Sequence, residues 1–366
     1  MRIELPISKS IANRLLILQA IHGDGLLSVS DSMPDDVRIM SEAIRLLGER
    51  REARIDLGNC GTAMRFLTAY CAQLEGQTTI LDGIERMRHR PIGQLVDALR
   101  EIGADIEYLG EEGFPPLRIK GCILDKHRIV IIDNPQSTQF VSALLLIGAN
   151  VQTDSTSPYI TLTREMIKNK EQGTKNKDKL LTTNQTQVTN LGSLLLAPYS
   201  EIERDWSSAA FWYEYVALHG GEIKLPGLHK ESLQGDKVVA DIFAHLGVST
   251  QYTEDGIQIC RSQTILNSKF LIQNFSACPD LYPAVALTCE RLGITLHATG
   301  TESLSIKESD RIRAVREHLT DHDHRMAMAL LVAGYPVDDT DCISKSYPRF
   351  LEQWQAIQTS SPENLR

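Results

Sequence analysis

Several short stretches of this chain place cations beside helix starts or glycine turns, a pattern suited to holding anions. The first, Pro6-Ile7-Ser8-Lys9-Ser10-Ile11-Ala12-Asn13-Arg14, leads straight into the apolar run Leu15 to Leu18. Ser8 or Ser10 is a natural N-cap, so the spacing predicts a helix whose unpaired N–H groups and positive dipole end lie beside Lys9 and Arg14. A helix mouth reinforced in this way receives a phosphate or a carboxylate. In the second, Asp56-Leu57-Gly58-Asn59-Cys60-Gly61-Thr62-Ala63-Met64-Arg65-Phe66-Leu67, a short strand ends at Leu57 and two glycines let the backbone approach a ligand. Thr62 is placed to cap the helix that follows. The third, Glu85-Arg86-Met87-Arg88-His89-Arg90-Pro91-Ile92-Gly93, keeps Arg90 extended before Pro91, which starts the next helix. An arginine there suits a forked contact with carboxylate or phosphate.

Ser303-Leu304-Ser305-Ile306-Lys307-Glu308-Ser309-Asp310-Arg311 reads as another helix opening. Lys307 and Arg311, four apart, share a face and repel unless something negative lies between them. A bound anion would supply that charge, and the bland alternative is neutralisation by Glu308 and Asp310 on a solvated surface. Asp321-His322-Asp323-His324-Arg325-Met326-Ala327-Met328-Ala329 suggests a metal by its ligand types. The ligands alternate sides of a short segment and Arg325 adds an unwelcome charge, so no metal is assigned. Cys342-Ile343-Ser344-Lys345-Ser346-Tyr347-Pro348 presents one more lysine.

The elements that position these residues follow from a weak repeat. A helical run ending in a hydrophobic residue and Gly occurs at Ile44 to Gly48, Leu99 to Gly103 and Ile242 to Gly247, each Gly a plausible helix stop. Ile106 to Tyr108 with Leu117 to Ile119, and Ser249 to Tyr252 with Gly256 to Ile259, alternate around turns as hairpins do. A helix-plus-hairpin unit used several times implies stacking or pseudo-symmetry, with sheets outside and helices buried or the reverse. Between the halves, Lys168 to Asn190 is polar and reads as a flexible loop.

The 366 residues, 42% hydrophobic and 23% charged, suffice for two domains with sizeable cores. A net charge of −9 argues against nucleic acid or an acidic membrane as partner. Seven cysteines, scattered without C-x-x-C spacing, indicate reduced thiols in the cytoplasm. The apolar stretches are too short and broken for a membrane span, and no signal-peptide layout is present.

In order and wording the motifs resemble the 5-enolpyruvylshikimate-3-phosphate synthase family across nearly the whole chain. The resemblance implies transfer of the enolpyruvyl group of phosphoenolpyruvate to the 5-hydroxyl of shikimate 3-phosphate, with release of phosphate, toward chorismate and the aromatic amino acids. It implies an α/β (α+β) fold of two domains, residues 8–203 inserted between 1–7 and 204–366. Each is built of helix-and-hairpin repeats around buried helices, with the active site in the cleft between them. No metal or organic cofactor is implied, and a monomer is expected. By resemblance, shikimate 3-phosphate meets Lys9, Ser10, Arg14, Ser137, Thr138, Gln139, Thr156 and Lys307. Phosphoenolpyruvate meets Lys9, Gly61, Arg90, Gln139, Arg311, Arg325 and Lys345. Asp280 falls at the base position, Glu308 is the second carboxylate, and Lys9 is a candidate proton donor. Both carboxylates are expected to stay ionised among these cations.

Ile7, Phe66, Thr138 and Ser303 stand where the family usually has glycine, proline, serine and asparagine, and Thr156 keeps the hydroxyl of a family serine. The lengths depart further. Lys168 to Asn190 replaces an expected hairpin with polar sequence, and only twelve residues separate Arg311 from His324, where the family has the rest of a helix, a hairpin and a linker. One or two repeats are therefore shortened, which should expose helix surface and an unpaired sheet edge. The alternatives are a non-catalytic anion-binding relative, UDP-N-acetylglucosamine enolpyruvyl transferase, and a metal-dependent hydrolase using His322 and His324.

Overall fold

Runs such as Gly61–Ala72 and Trp206–His219 carry apolar or small residues on almost every face, which suits helices enclosed by other elements. The computed structural model describes residues 1–24, 27–180, 202–262 and 269–360. The chain divides into an inserted unit, Ser10–Val29 with Asp36–Ile202, and a terminal unit, Met1–Lys9 with Ser30–Asp35 and Glu203–Arg366.

The inserted unit runs through α1 (Lys9–His22), α2 (Asp35–Glu49), β1 (Glu52–Asp56), α3 (Gly61–Ala72), β2 (Thr78–Asp82), α4 (Glu85–Arg88), α5 (Gly93–Glu101), β3 (Asp105–Tyr108) and β4 (Leu117–Lys120). It continues with β5 (Ile129–Ile131), α6 (Thr138–Leu146), β6 (Asn150–Gln152) and α7 (Pro158–Leu180). Strands β1, β2, β4 and β3 form one sheet in that order, with β1 and β2 parallel and β4 antiparallel to both its neighbours. Ile55, Leu81, Ile106 and Ile119 bury the inner face. Cross-strand pairs Glu107 with Arg118 and Asp105 with Lys120 charge the other. Beneath lie α3, α6 and α7, packed in sequence.

The terminal unit contains α8 (Trp206–His219), β7 (Glu222–Pro226), α9 (Val239–Ala244), β8 (Val248–Tyr252), β9 (Gly256–Arg261), β10 (Phe270–Asn274), α10 (Tyr282–Leu292) and β11 (Thr295–Thr299). It ends in α11 (Arg311–Glu317), α12 (His324–Ala333) and α13 (Phe350–Ser360). Helices α8, α10 and α12 pack against one another at its centre. Phe350 closes the core against Trp212, ring centroids 5.5 Å apart.

Each unit holds one complete β-α-β-α-β-β repeat. In the terminal unit Arg2 bridges Lys224 in the parallel sense, so the N-terminal segment takes the first strand's place beside β7, β9 and β8. The hairpins read from the sequence are β3–β4 and β8–β9. Gly103 and Gly247 follow their helices with φ of +99° and +84°. Gly48 instead lies inside α2, and the strand after it leads to α3, not to a hairpin. The loop expected over Lys168 to Asn190 is a correction in part. Residues 168 to 180 continue α7, because Lys, Glu and Gln are good helix formers and polarity alone specifies exposure, not irregularity. Residues 181 to 190 lie outside the described residues.

Among the described residues the other two repeats show two strands each. β5 and β6 form a parallel pair, as do β10 and β11. After β11 the chain goes through α11 directly to α12 by a turn in which His318, Asp321 and His322 all have positive φ. Each is tied by its side chain, His318 to Glu290 at 2.8 Å, Asp321 to Arg313, and His322 to Asp339 at 2.5 Å. On the sheet of β10 and β11, Phe270 and Ile272 are 54% and 68% exposed. Among the described residues no helix is long and apolar enough to cross a membrane.

Candidate active site

In the terminal unit the chemistry gathers around two carboxylates. Asp280 sits in the tight turn Pro279–Leu281 that feeds α10. It takes Arg311 Nη1 at 2.7 Å, Arg325 Nη2 at 2.9 Å and Lys307 Nζ at 3.6 Å. Burial alone would raise its pKa, but Arg325, Lys307 and Arg311 hold it well below the usual carboxylate range. Glu308 accepts from His324 Nδ1 at 2.8 Å and pairs with Lys345 Nζ at 2.8 Å. Its burial is likewise outweighed, by His324, Lys345 and Lys9, and it too lies well below its ordinary value.

The repulsion expected between Lys307 and Arg311 is resolved by the fold. They do not share a helix face, since Lys307 ends the turn Glu302–Ile306 and Arg311 opens α11. Asp280, distant in sequence, supplies the negative charge between them.

Two residues without an assigned role belong to this cluster. Asp323 caps α12 and holds the buried Arg311 at 2.8 Å, which fixes where that guanidinium points. Asp236, bonded by Ser207, is pushed up to about 7 by burial and by Asp280, with Arg325 opposing. Nothing in local spacing marks Asp236, because its partners come from other elements of the unit. Arg325 Nη1 and His324 Nε2 are buried and meet no partner among the described residues, a donor and a ring nitrogen left for something else. Burial leads the effects that lower the His324 pKa, with Glu308 opposing.

Of the Asp321 to Arg325 motif, His322 faces outward and His324 inward. Glu308, Asp323 and His324 do bring ligand atoms within 4.8 Å of one another. Lys345 and Arg311 already neutralise the two carboxylates, so a divalent ion would have to displace both cations.

The inserted unit carries a second cluster. At the start of α3, a Cβ on Gly61 would lie 2.4 Å from Arg65 Nη1 and 2.5 Å from Arg90 Nη1, so two guanidiniums converge over one glycine. Arg65 is buried and donates to the Gly61 and Pro91 carbonyls. It has no carboxylate partner among the described residues, and burial together with Arg90 depresses its pKa well below the ordinary value. Such a pair of cations suits an incoming anion. Thr62 does not cap α3; the helix begins at Gly61, so Cys60 is the cap and accepts from Ala63 N. Thr62 Oγ1 instead accepts Gln139 Nε2 at 3.0 Å, which brings Gln139 beside Gly61. Ser137 caps α6 and Thr138 opens it, on the same mouth as Gln139.

At α1, Lys9 is the first helical residue and Ser8 precedes it, but the buried Ser8 hydroxyl bonds no group among the described residues. Arg14, expected to reinforce the helix mouth, turns into the interior of the unit. It is fully buried, donates to Thr163 Oγ1, Ser10 O and Tyr159 O, and stacks 3.8 Å from the Tyr159 ring. Ser10 meets this residue through its carbonyl, while Thr156 is exposed and stands three residues before Tyr159 in the chain.

The profile of EPSP synthase (3-phosphoshikimate 1-carboxyvinyltransferase) matches residues 49–321 and 318–354. A 3-phosphoshikimate 1-carboxyvinyltransferase of Bacteroides fragilis (strain YCH46) is 39% identical over 396 aligned positions, covering 95% of this chain and 93% of that protein. The alignment is longer than the 366-residue chain, so the relative has segments this chain lacks, in keeping with the short repeats. A Sulfurovum sp. (strain NBC37-1) protein of the same name is 30% identical, over 98% of this chain and 96% of its own length. The solved EPSP synthase of Acinetobacter baumannii shares the fold, with a TM-score of 0.65 at 19% identity over 97% of this chain and 95% of that one. The chain belongs to the EPSP synthase (3-phosphoshikimate 1-carboxyvinyltransferase) family.

Proposed function

We propose that this chain transfers the enolpyruvyl group of phosphoenolpyruvate to the 5-hydroxyl of shikimate 3-phosphate and releases inorganic phosphate. The observation that carries the reading is the cation shell of Lys307, Arg311, Arg325 and Lys345 drawn onto two ionised carboxylates, Asp280 and Glu308. Two phosphates and two carboxylates, the charges of the substrate pair, require such a shell. The Arg65–Arg90 pair over Gly61 adds a further anion position, with Gln139 beside it.

In the ligand-free protein Asp280 is a poor base because three cations hold its charge. A substrate anion that takes over those cations weakens their grip, and the Asp280 carboxylate becomes basic enough to accept the proton of the 5-hydroxyl. The alkoxide oxygen then bonds to C2 of phosphoenolpyruvate while Lys9 delivers a proton to its methylene carbon, giving a tetrahedral ketal phosphate. Loss of a proton from the new methyl group re-forms the double bond as the C2–O bond to phosphate breaks. Cations around the departing phosphate stabilise that charge. Ser10, Arg14, Ser137, Thr138 and Thr156 are assigned to shikimate 3-phosphate, with Arg14 acting through the Tyr159 segment it braces. The reading extends to a monomer acting in the cytoplasm, supported by seven cysteines that are all free thiols.

Phosphate release by the purified protein tests the reading. Release that needs both substrates supports it. No release by folded protein, with either substrate still bound, refutes it in favour of a non-catalytic anion-binding relative.

A further inference from the structure

We propose that Asp82 is a positioning residue for the anion site of the inserted unit, setting the guanidinium of Arg90 over Gly61 without itself touching a ligand. The inference rests on the reading of Arg90 as a phosphoenolpyruvate contact. Asp82 ends β2, and its side chain is only 8% exposed. Four donors saturate it: Arg88 Nε on Oδ1 and Arg88 Nη2 on Oδ2, each at 3.0 Å, Arg54 Nη2 at 3.0 Å, and the Gly83 N–H at 2.8 Å.

From Asp82 a short, fully tied path leads to Arg90. Gly83 lies so close to the preceding loop that a Cβ would sit 2.4 Å from Gly58 O, and Ile84 N donates to that same carbonyl at 3.1 Å. Helix α4 then turns back so that Arg88, its last residue, grips Asp82 in a bidentate clamp. Met87, buried, anchors the underside of the turn, and its carbonyl receives Arg90 N at 3.0 Å. The clamp thus closes a loop from Asp82 to Arg88, and Arg90 leaves that loop two residues later toward Gly61. Gly58 lies in the facing loop and Gly61 opens α3 directly after it, so one carboxylate fixes the spacing between both walls of the site. Arg54 also bonds Asp82 but stands on β1, off the path to Arg90.

The test is steady-state kinetics by phosphate release on Asp82→Asn, Arg88→Met and Arg54→Met, with Arg90→Lys beside them. Asp82→Asn is expected to raise KM for phosphoenolpyruvate about tenfold. KM for shikimate 3-phosphate and kcat stay within about twofold of the unmodified protein. Arg88→Met, at a residue 43% exposed and so safe for folding, should move the same constant the same way. Arg54→Met should leave it unchanged. The inference is overturned if Asp82→Asn and Arg88→Met leave that KM alone while Arg90→Lys raises it, or if all three constants worsen together, as general structural damage would do. An Arg90→Lys variant with unchanged phosphoenolpyruvate KM would sink the underlying assignment of Arg90 instead.

Discussion

Replacing Gly61 by alanine separates the anion site from the stability of the fold more cleanly than any other single change. Gly61 is the first residue of α3 and its φ is not positive, so the backbone accepts alanine and gains up to about 1 kcal/mol of helix propensity. The new methyl group would stand 2.4 Å from Arg65 Nη1, 2.5 Å from Arg90 Nη1 and 2.7 Å from Arg90 Cζ. Ordinary contact begins near 3.5 Å, so both guanidiniums must withdraw by roughly 1 Å. The neighbours are side-chain ends and can move, but they move away from where an anion would sit. Losing one charge-assisted hydrogen bond is worth about 1.5–3 kcal/mol, which corresponds to a KM for phosphoenolpyruvate roughly 10- to 100-fold higher. The melting temperature should stay within about 2 °C, since the helix gain offsets the lost Arg65 to Gly61 carbonyl bond. Phosphate release at saturating shikimate 3-phosphate gives the KM, and a thermal melt of the ligand-free protein gives the stability. A phosphoenolpyruvate KM within twofold of the parent protein, or equal weakening of both substrates, would refute the argument that Arg65 and Arg90 form the anion position.

Asp280→Ala should lower kcat by about 10²- to 10⁴-fold, the range for a lost general base, with neither KM raised, because it frees three cations for the substrates. Comparable losses in kcat and affinity, read from the same kinetics, would make Asp280 a binding residue. Asp236, pushed up to about 7, is protonated below that pH and adds a negative charge beside Asp280 above it. The kcat/KM profile should therefore fall through about pH 7, and Asp236→Asn should remove that limb; an unchanged profile counts against the assignment. Glu214 is buried in α8, neither of its oxygens has a hydrogen-bond partner among the described residues, and burial raises its pKa well above the carboxylate range. Its proton-linked stability is complete below the ordinary pKa of about 4.3 and is lost as pH rises through the folded value. Glu214→Met should thus stabilise the protein by about 1–3 kcal/mol at pH 8 and by less at pH 5, measured by urea unfolding. A gain independent of pH would show that Glu214 is not the titrating group.

Local chemistry made much of the protein legible. The two hairpins and the glycines after α5 and α9 follow from alternation and backbone freedom within a few residues, and the structure contains them. Lys9, Arg311 and Arg325 were visible as cations at helix starts, and Lys307 and Lys345 as cations within the later motifs. Thr62 failed as a cap because the helix begins two residues earlier, at Gly61, where Cys60 takes the Ala63 N–H. The helix through residues 168 to 180 was missed because its polar surface and a loop's look alike in composition.

By itself the sequence determined the inventory: two rounds of helix and hairpin, a set of anion-binding residue types, and the shortening between Arg311 and His324. It did so because caps, turns, alternation and chain length act over short spans. Only the tertiary structure decided which charges meet. Asp280 lies between Lys307 and Arg311, Asp323 fixes Arg311, Arg65 joins Arg90 over Gly61, and Arg14 turns inward to Tyr159. Those pairings join residues far apart in the chain, and Coulomb energy depends on distance in space, which the order of residues does not contain.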